Sequence, residues 1–192
     1  MARSKTNNER QLSTADLRRE TMIASAVKVF AKTGYYGTTV ADVAKDAGIS
    51  PAYIFRLFPS KEELFVAAVD RCYARIVDAV LAIAGVSETR DSSFVLSEIG
   101  LMYTGLIGDS ALLMLQVQAQ SVSNIPAVRE AVHRGLKAVV EAIFERSGAA
   151  PAEVQLVMAY GLLCHLIVTA GLDQIDAGWA HALTDGMAHP RK

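Results

Sequence analysis

Cysteine is scarce: Cys72 and Cys164 are the only two in 192 residues, and they lie far apart. That excludes a disulfide framework and a thiolate metal cluster, and it makes a reducing, cytoplasmic setting the expectation. The four histidines, His133, His165, His181 and His189, lack metal-ligand spacing, so neither a metal nor a cofactor is expected. Cys164 and His165 are adjacent, but neighbours on a helix point about 100° apart and make no catalytic pair. No nucleophile elbow, Ser/His/Asp set or phosphate-cradling glycine loop is present, and the chain is not read as an enzyme. Glycine and proline, at 13 and 5, are too few for a fibrous or disordered chain. Sustained period-two alternation is also missing, which removes a sheet and leaves an all-α fold.

Charge is unevenly spread. Residues 1–61 carry ten Lys/Arg against five Asp/Glu, net +5, whereas residues 62–192 carry nine against fifteen, net −6. A basic end on an acidic body is the asymmetry of a chain whose one end meets a polyanion. Residues 1–12 are mostly polar, with Arg3, Lys5 and Arg10, and read as a flexible basic arm rather than a secretory signal. Between Glu153 and Asp173 no Asp, Glu, Lys or Arg occurs. That approaches the length of a membrane span. Yet Gln155, Tyr160, Gly161, Cys164, His165 and Thr169 interrupt the run and basic flanks are absent, so the segment reads as a helix buried on all sides, in a core or dimer interface, with no membrane partner.

Helix signals recur along the chain. The first helix is expected to begin at Ser13 or Thr14, with Ile23, Ala26, Val27 and Phe30 inward and Gly34 as its stop. Thr39 and Asp42 resemble a capping box for a second helix that Gly48 closes. Ser50 and Pro51 are a favoured N-cap and first position for a short third helix, about 51–57. Ser60 caps a fourth, about 60–84. Further helices are expected at about 92–107, 110–122, 126–146, 151–170 and 175–186.

The second and third helices, joined by Gly48-Ile49-Ser50, form a helix-turn-helix. Glycine permits the reversal, Ile49 fills the space between the helices, and Ser50 caps the next. The third helix then presents Ser50, Pro51, Ala52, Tyr53 and Arg56, and the start of such a helix meets base edges in the major groove. Phe30, Phe55 and Phe58 are expected in the small core, and Tyr35 in a structural role.

Residues 21–66 resemble the N-terminal domain of TetR-type transcriptional regulators. The matching string is Ile23, Ala26, Phe30, Gly34-Tyr35, Thr38-Thr39, Val43-Ala44, Ala47-Gly48-Ile49-Ser50, Phe55, Phe58, Lys61 and Leu64. The resemblance implies a helical homodimer that represses from double-stranded DNA at a palindromic operator and is relieved by a small inducer. It divides the chain into an arm (1–12), a DNA-binding domain (13–60) and a helical ligand-binding and dimerisation domain (61–192). By position, Thr38 and Thr39 would cap the second helix and touch phosphate, and Lys61 would reach phosphate. Thr39 fits equally as a plain cap, and Lys61 as a solvated helix-start charge. Phe55 departs from the family's usual Tyr, which removes a hydroxyl able to meet the DNA backbone.

The family's effector cavity lies among the middle helices of the larger domain. Residues 94–122 supply large flexible side chains there, and the expected lining is Met102, Tyr103, Leu106, Met114 and Gln118, with His165 from the uncharged helix. Few charges are at hand, so the expected effector is neutral and apolar. The dimer face is expected on helices 126–146 and 151–170, paired with their symmetry mates, at Val139, Ile143, Leu163 and Ile167. In an alternative reading, the C-terminal domain binds a protein partner in place of a small molecule.

Overall fold

A computed structural model describes residues 14–186. The basic arm and the Ser13 cap lie outside the described residues. Among those described, the order is α1 (Thr14–Gly37), α2 (Val40–Ala47), α3 (Pro51–Leu57), α4 (Lys61–Leu81), α5 (Ser92–Ile107), α6 (Ser110–Ser121), α7 (Pro126–Ser147), α8 (Pro151–Ala170), a 3-10 turn (Leu172–Gln174) and α9 (Gly178–Thr184). The fold is all-α.

Start and stop chemistry explains most boundaries. Asp91 and Asp109 accept from the first-turn amides of α5 and α6, as N-cap side chains do. Three ends differ from the sequence expectation. α1 runs on to Gly37, with Gly34 breaking the helical backbone (φ 71°) rather than ending it. α4 stops at Leu81 rather than 84. The last segment is split, because Gly171 (φ 65°) turns the chain after α8 into the 3-10 turn before α9 begins.

Burial follows the apolar stripes. One apolar cluster runs from Met22 and Phe30 of α1, through Leu64, Phe65 and Tyr73 of α4, to Val139 and Ile143 of α7 and Val154 of α8. The axis of this arrangement is α4, whose principal partner is α7. The two helices approach closely at Gly135: a Cβ there would lie 2.2 Å from the Tyr73 ring, so no side chain fits.

In the single chain the uncharged helix is not buried on all sides, which corrects the expectation of a core helix and leaves that of an interface helix untested. Leu156, Tyr160, Leu162 and Leu166 of α8 are 50–56% exposed. Length and composition alone would let α8 cross a bilayer. Its inner face nevertheless buries Val154, Cys164, His165 and Ile167, so the helix is one-sided in the single chain.

Candidate nucleic-acid interface and internal cavity

The helix-turn-helix is built by local capping. Thr39 takes a β conformation, its hydroxyl accepts from the Asp42 amide, and Asp42 in turn accepts from the Thr39 amide and hydroxyl at 2.8 and 2.6 Å. These bonds hold the Asp42 carboxyl below its ordinary pKa. Gly48 closes α2 in the left-handed region (φ 67°), a conformation that costs glycine little. Ser50 then accepts from the Tyr53 amide at 3.3 Å and Pro51 starts α3. Ile54 is fully buried, while Ser50, Pro51, Ala52 and Arg56 point to solvent. Tyr53 is half-buried, with the Arg18 guanidinium 5.9 Å from its ring.

Several residues sit elsewhere than expected. Phe55 is 48% exposed beside Ala52 and Arg56, not in the small core. The reason is helical phase: Ile54 and Phe58, four residues apart, fill the inward side of α3, which leaves Phe55 outside. Thr38 is 1% exposed, and its hydroxyl donates to the Gly34 carbonyl at 2.7 Å while lying 2.6 Å from Thr33 Oγ1. Its side chain is therefore spent inside the α1–α2 corner, and Thr39 alone caps α2. Lys61 holds that same corner. Its ammonium donates to the carbonyls of Tyr35 and Thr38 at 3.0 and 3.1 Å and lies 4.5 Å from the Tyr35 ring centroid. Two of its three N–H donors are thus engaged with protein. Tyr35 packs on Phe65, while Tyr36, which the sequence did not single out, is 72% exposed.

The larger part of the chain holds a partly open cavity of about 70 Å³. Its walls include Tyr73, Ile76 and Val80 of α4, Met102 and Tyr103 of α5, Gln116 and Gln120 of α6, Val139 and Ile143 of α7, and Met158, Leu162 and His165 of α8. Among the described residues no Asp, Glu, Lys or Arg lines it. Of the expected lining, Met102, Tyr103 and His165 are there, whereas Leu106, Met114 and Gln118 are not. Gln118 instead points at α1: its Oε1 would lie 2.7 Å from a Cβ at Gly34. Successive helical residues turn by about 100°, so Gln116 and Gln120 share a face and Gln118 faces away.

Three polar side chains meet in this apolar wall. Tyr103 Oη lies 2.6 Å from His165 Nε2, and the Gln116 amide nitrogen donates to Tyr103 Oη and to the Leu112 carbonyl, each at 3.3 Å. Burial pushes the Tyr103 hydroxyl up to about 12, raises Tyr73 further, and lowers His165. The imidazole is therefore neutral and both phenols keep their protons.

The residues expected at a dimer face need correction. Val139 and Ile143 line the cavity, and Ile167 is fully buried. Their own chain already covers them, so no partner can. Leu163 is half-buried against a groove formed with α5 and the last helix. The exposed apolar residues of α8 are Leu156, Tyr160, Leu162 and Leu166.

The family described as bacterial regulatory proteins, tetR family, matches residues 22–68, which span α1 to the first turns of α4. Residues 22–68 are thus similar to the N-terminal domain of the TetR family of transcriptional regulators. Among curated TetR-type relatives, the biofilm operon negative regulator IcaR of Staphylococcus epidermidis is 30% identical over 63 residues, 33% of this chain and 34% of its own length. The transcriptional repressor NicS of Pseudomonas putida is 35% identical over 60 residues, 31% of this chain and 28% of its own length. The chain thus spans about a third of the length of the curated relatives it matches. Solved structures extend the likeness of fold to nearly the whole chain. A TetR-family regulator from Mesorhizobium loti gives a TM-score of 0.65 at 15% identity, covering 94% of this chain and 90% of that one. FadR of Bacillus subtilis, solved with stearoyl-CoA, gives 0.67 at 14%, covering 91% and 100%.

Proposed function

We propose that the chain is a TetR-family regulator, a homodimeric repressor of a palindromic operator on double-stranded DNA, released when a small neutral apolar effector enters the cavity. The reading divides the chain at the start of α4, with residues 13–60 on DNA and 61–192 sensing and dimerising, and it sets the protein in the cytoplasm with the DNA. In this reading Ser50, Pro51, Ala52, Tyr53 and Arg56 face the major groove, joined by Phe55, and Thr39 meets phosphate. The observation that carries it is the span of one helix. α4 anchors the α1–α2 corner through Lys61 and lines the cavity through Tyr73, twelve residues and about 18 Å further on. A guest that shifts Tyr73 therefore moves the element that holds the DNA-reading unit. Repressors among the relatives, and a neighbour solved with a bound acyl-CoA, support this arrangement by analogy.

For self-association the favoured surface is the exposed side of α8, centred on Leu156, Tyr160 and Leu166. A helix-turn-helix reads a few base pairs, so a genomic address needs two, set about 34–36 Å apart or a multiple of that. The same exposed leucines favour the alternative reading, in which another protein docks on this domain. Selection of bound fragments from genomic DNA tests the function, with sedimentation of the recovered complex. A palindrome bound by two chains supports the repressor reading, and recovery of no enriched sequence refutes it. A sequence bound by one chain with a second protein on α8 supports the alternative.

A further inference from the structure

Two polar atoms of residues lining the cavity have no hydrogen-bond partner among the described residues: Tyr73 Oη and His165 Nδ1. Both belong to residues more than nine-tenths buried, at 3% and 7% exposed. A buried polar atom left unpaired costs about 1–3 kcal/mol, so the pair calls for an explanation, and both residues line the same space.

The sense of each group follows from its neighbours. The Leu112 carbonyl can only accept, which turns the Gln116 nitrogen toward it and leaves the second amide N–H for Tyr103 Oη. Tyr103 has one proton to give, and against Gln116 Oε1 at 3.4 Å the much nearer acceptor is His165 Nε2, 2.6 Å away. That separation is typical of an O–H donor and short for an N–H donor. His165 Nε2 therefore accepts, and the neutral ring carries its proton on Nδ1. The unpaired pair is thus two donors, the Nδ1–H of His165 and the phenol O–H of Tyr73. Around them the wall is apolar, with Ile76, Ile99, Met102, Val139, Ile143 and Met158, and among the described residues it holds no cation to balance an anion.

We propose that the cavity selects a small neutral molecule bearing a hydrogen-bond acceptor, such as a ketone, lactone, ester or amide carbonyl, which Tyr73 and His165 bind, and that it rejects carboxylates and other anions. The inference rests on the reading of this cavity as the effector site and narrows it to a ligand class. A buried carboxylate without a counter-charge is strongly disfavoured. Size agrees. The free space is about 70 Å³, against the ~150 Å³ that admits a benzene-sized guest in an apolar cavity. A ring of that size enters only as Met102 and Met158 yield, which unbranched thioethers do readily.

The test uses three five-membered-ring probes: cyclopentanone, its shape-matched analogue methylenecyclopentane (a CH2 in place of the oxygen) and the anion cyclopentanecarboxylate. They are titrated into the full chain with methyl-labelled methionine, and the Met102 and Met158 signals are followed. The expected result is that the ketone binds about a hundredfold tighter than the hydrocarbon, about tenfold for each of the two neutral buried hydrogen bonds it accepts, and that the carboxylate leaves both signals in place. Tyr73→Phe and His165→Leu are each expected to remove about tenfold of that preference, the share of one hydrogen bond. Tyr73→Phe should also fold at least as well as the parent, since it deletes an unpaired hydroxyl. If Tyr73→Phe does not fold, His165→Leu decides alone. Equal affinity for ketone and hydrocarbon, binding of the carboxylate, or no shift at either methionine with any probe overturns the proposal. Release of the selected DNA fragment is read separately. A ketone that binds as expected but frees no DNA refutes the effector reading and leaves the ligand class standing.

Discussion

Lys61 offers two opposed expectations that one variant separates. As a phosphate contact, its charge counts among those that displace counterions from DNA. As a clasp, it satisfies the carbonyls of Tyr35 and Thr38 at 3.0 and 3.1 Å and covers the Tyr35 ring. Lys61→Met keeps the apolar stem and removes the ammonium. A hydrogen bond from a charged group contributes about 1.5–3 kcal/mol when buried, but this corner is only half-buried and water can re-serve part of it. The two bonds together therefore hold about 2 kcal/mol. For a chain of this length each kcal/mol moves the melting temperature by about 2–4 °C, so a fall of about 4–8 °C is expected. The salt dependence of DNA binding gives the second reading. Each neutralised phosphate adds about −0.9 to the slope of log K against log salt. The clasp predicts a lower melting temperature, weaker binding to every sequence and an unchanged slope. Melting by calorimetry and fluorescence anisotropy across a salt series measure both. An unchanged melting temperature with a slope flattened by about 0.9 would refute the clasp and place Lys61 on phosphate.

Other perturbations address the remaining parts. Arg56→Ala and Phe55→Ala are expected to leave the fold intact, since both side chains are exposed, and each to relax preference at one operator position by about 1–3 kcal/mol; selection from a randomised operator reads this, and undiminished discrimination in both would remove them from the reading face. Leu166→Glu, at a residue 50% exposed, is expected to yield a folded monomer that no longer holds the operator, and a dimer persisting in sedimentation would move the interface away from α8. Gly135→Ala drives a methyl to within 2.2 Å of the Tyr73 ring, so a loss of about 1–3 kcal/mol or more is expected, and a melting temperature equal to the parent's would contradict the close α4–α7 approach. His165 titrates below its ordinary value because burial disfavours the charged ring; the unfolded chain therefore binds the proton first, and stability should fall as pH drops below about 6.5, a trend that His165→Leu should reduce.

What the sequence made legible was local. The Gly48-Ile49-Ser50 turn, the Thr39–Asp42 box and the starts at Pro51, Pro126 and Pro151 depend on a few neighbouring residues, and each is found where those residues put it. What stayed hidden depends on which neighbour a face meets. Val139 and Ile143 lie on an apolar stripe, and a stripe states that a face is buried without stating by whom. Here α4 of the same chain covers it, at the close approach that Gly135 permits. Gln116, Gln118 and Gln120 differ in role solely by helical phase, which becomes informative once α1 is known to lie against α6. Thr38 and Thr39 are adjacent and chemically alike, yet one is sealed into the corner that Gly34 opens and the other caps α2.

The uncharged run in α8 carries this argument furthest. Lack of charge was compatible with a core helix, a membrane span or an interface, because all three remove a helix from water. Burial of Cys164, His165 and Ile167 on one side, with Leu156, Tyr160 and Leu166 bare on the other, separates these cases. A core helix would have no bare side, and a helix surrounded by lipid would not bring a histidine into a hydrogen-bonded wall with Tyr103. A helix that closes its own cavity on one face and offers leucines on the other can couple the two. Whatever seats on the outer face fixes the position of His165 inside, so the affinity of the cavity for its guest should depend on the state of association. Leu166→Glu should therefore alter guest affinity as well as operator binding. Identical ketone titrations of that variant and the parent would show that the two faces of α8 act independently.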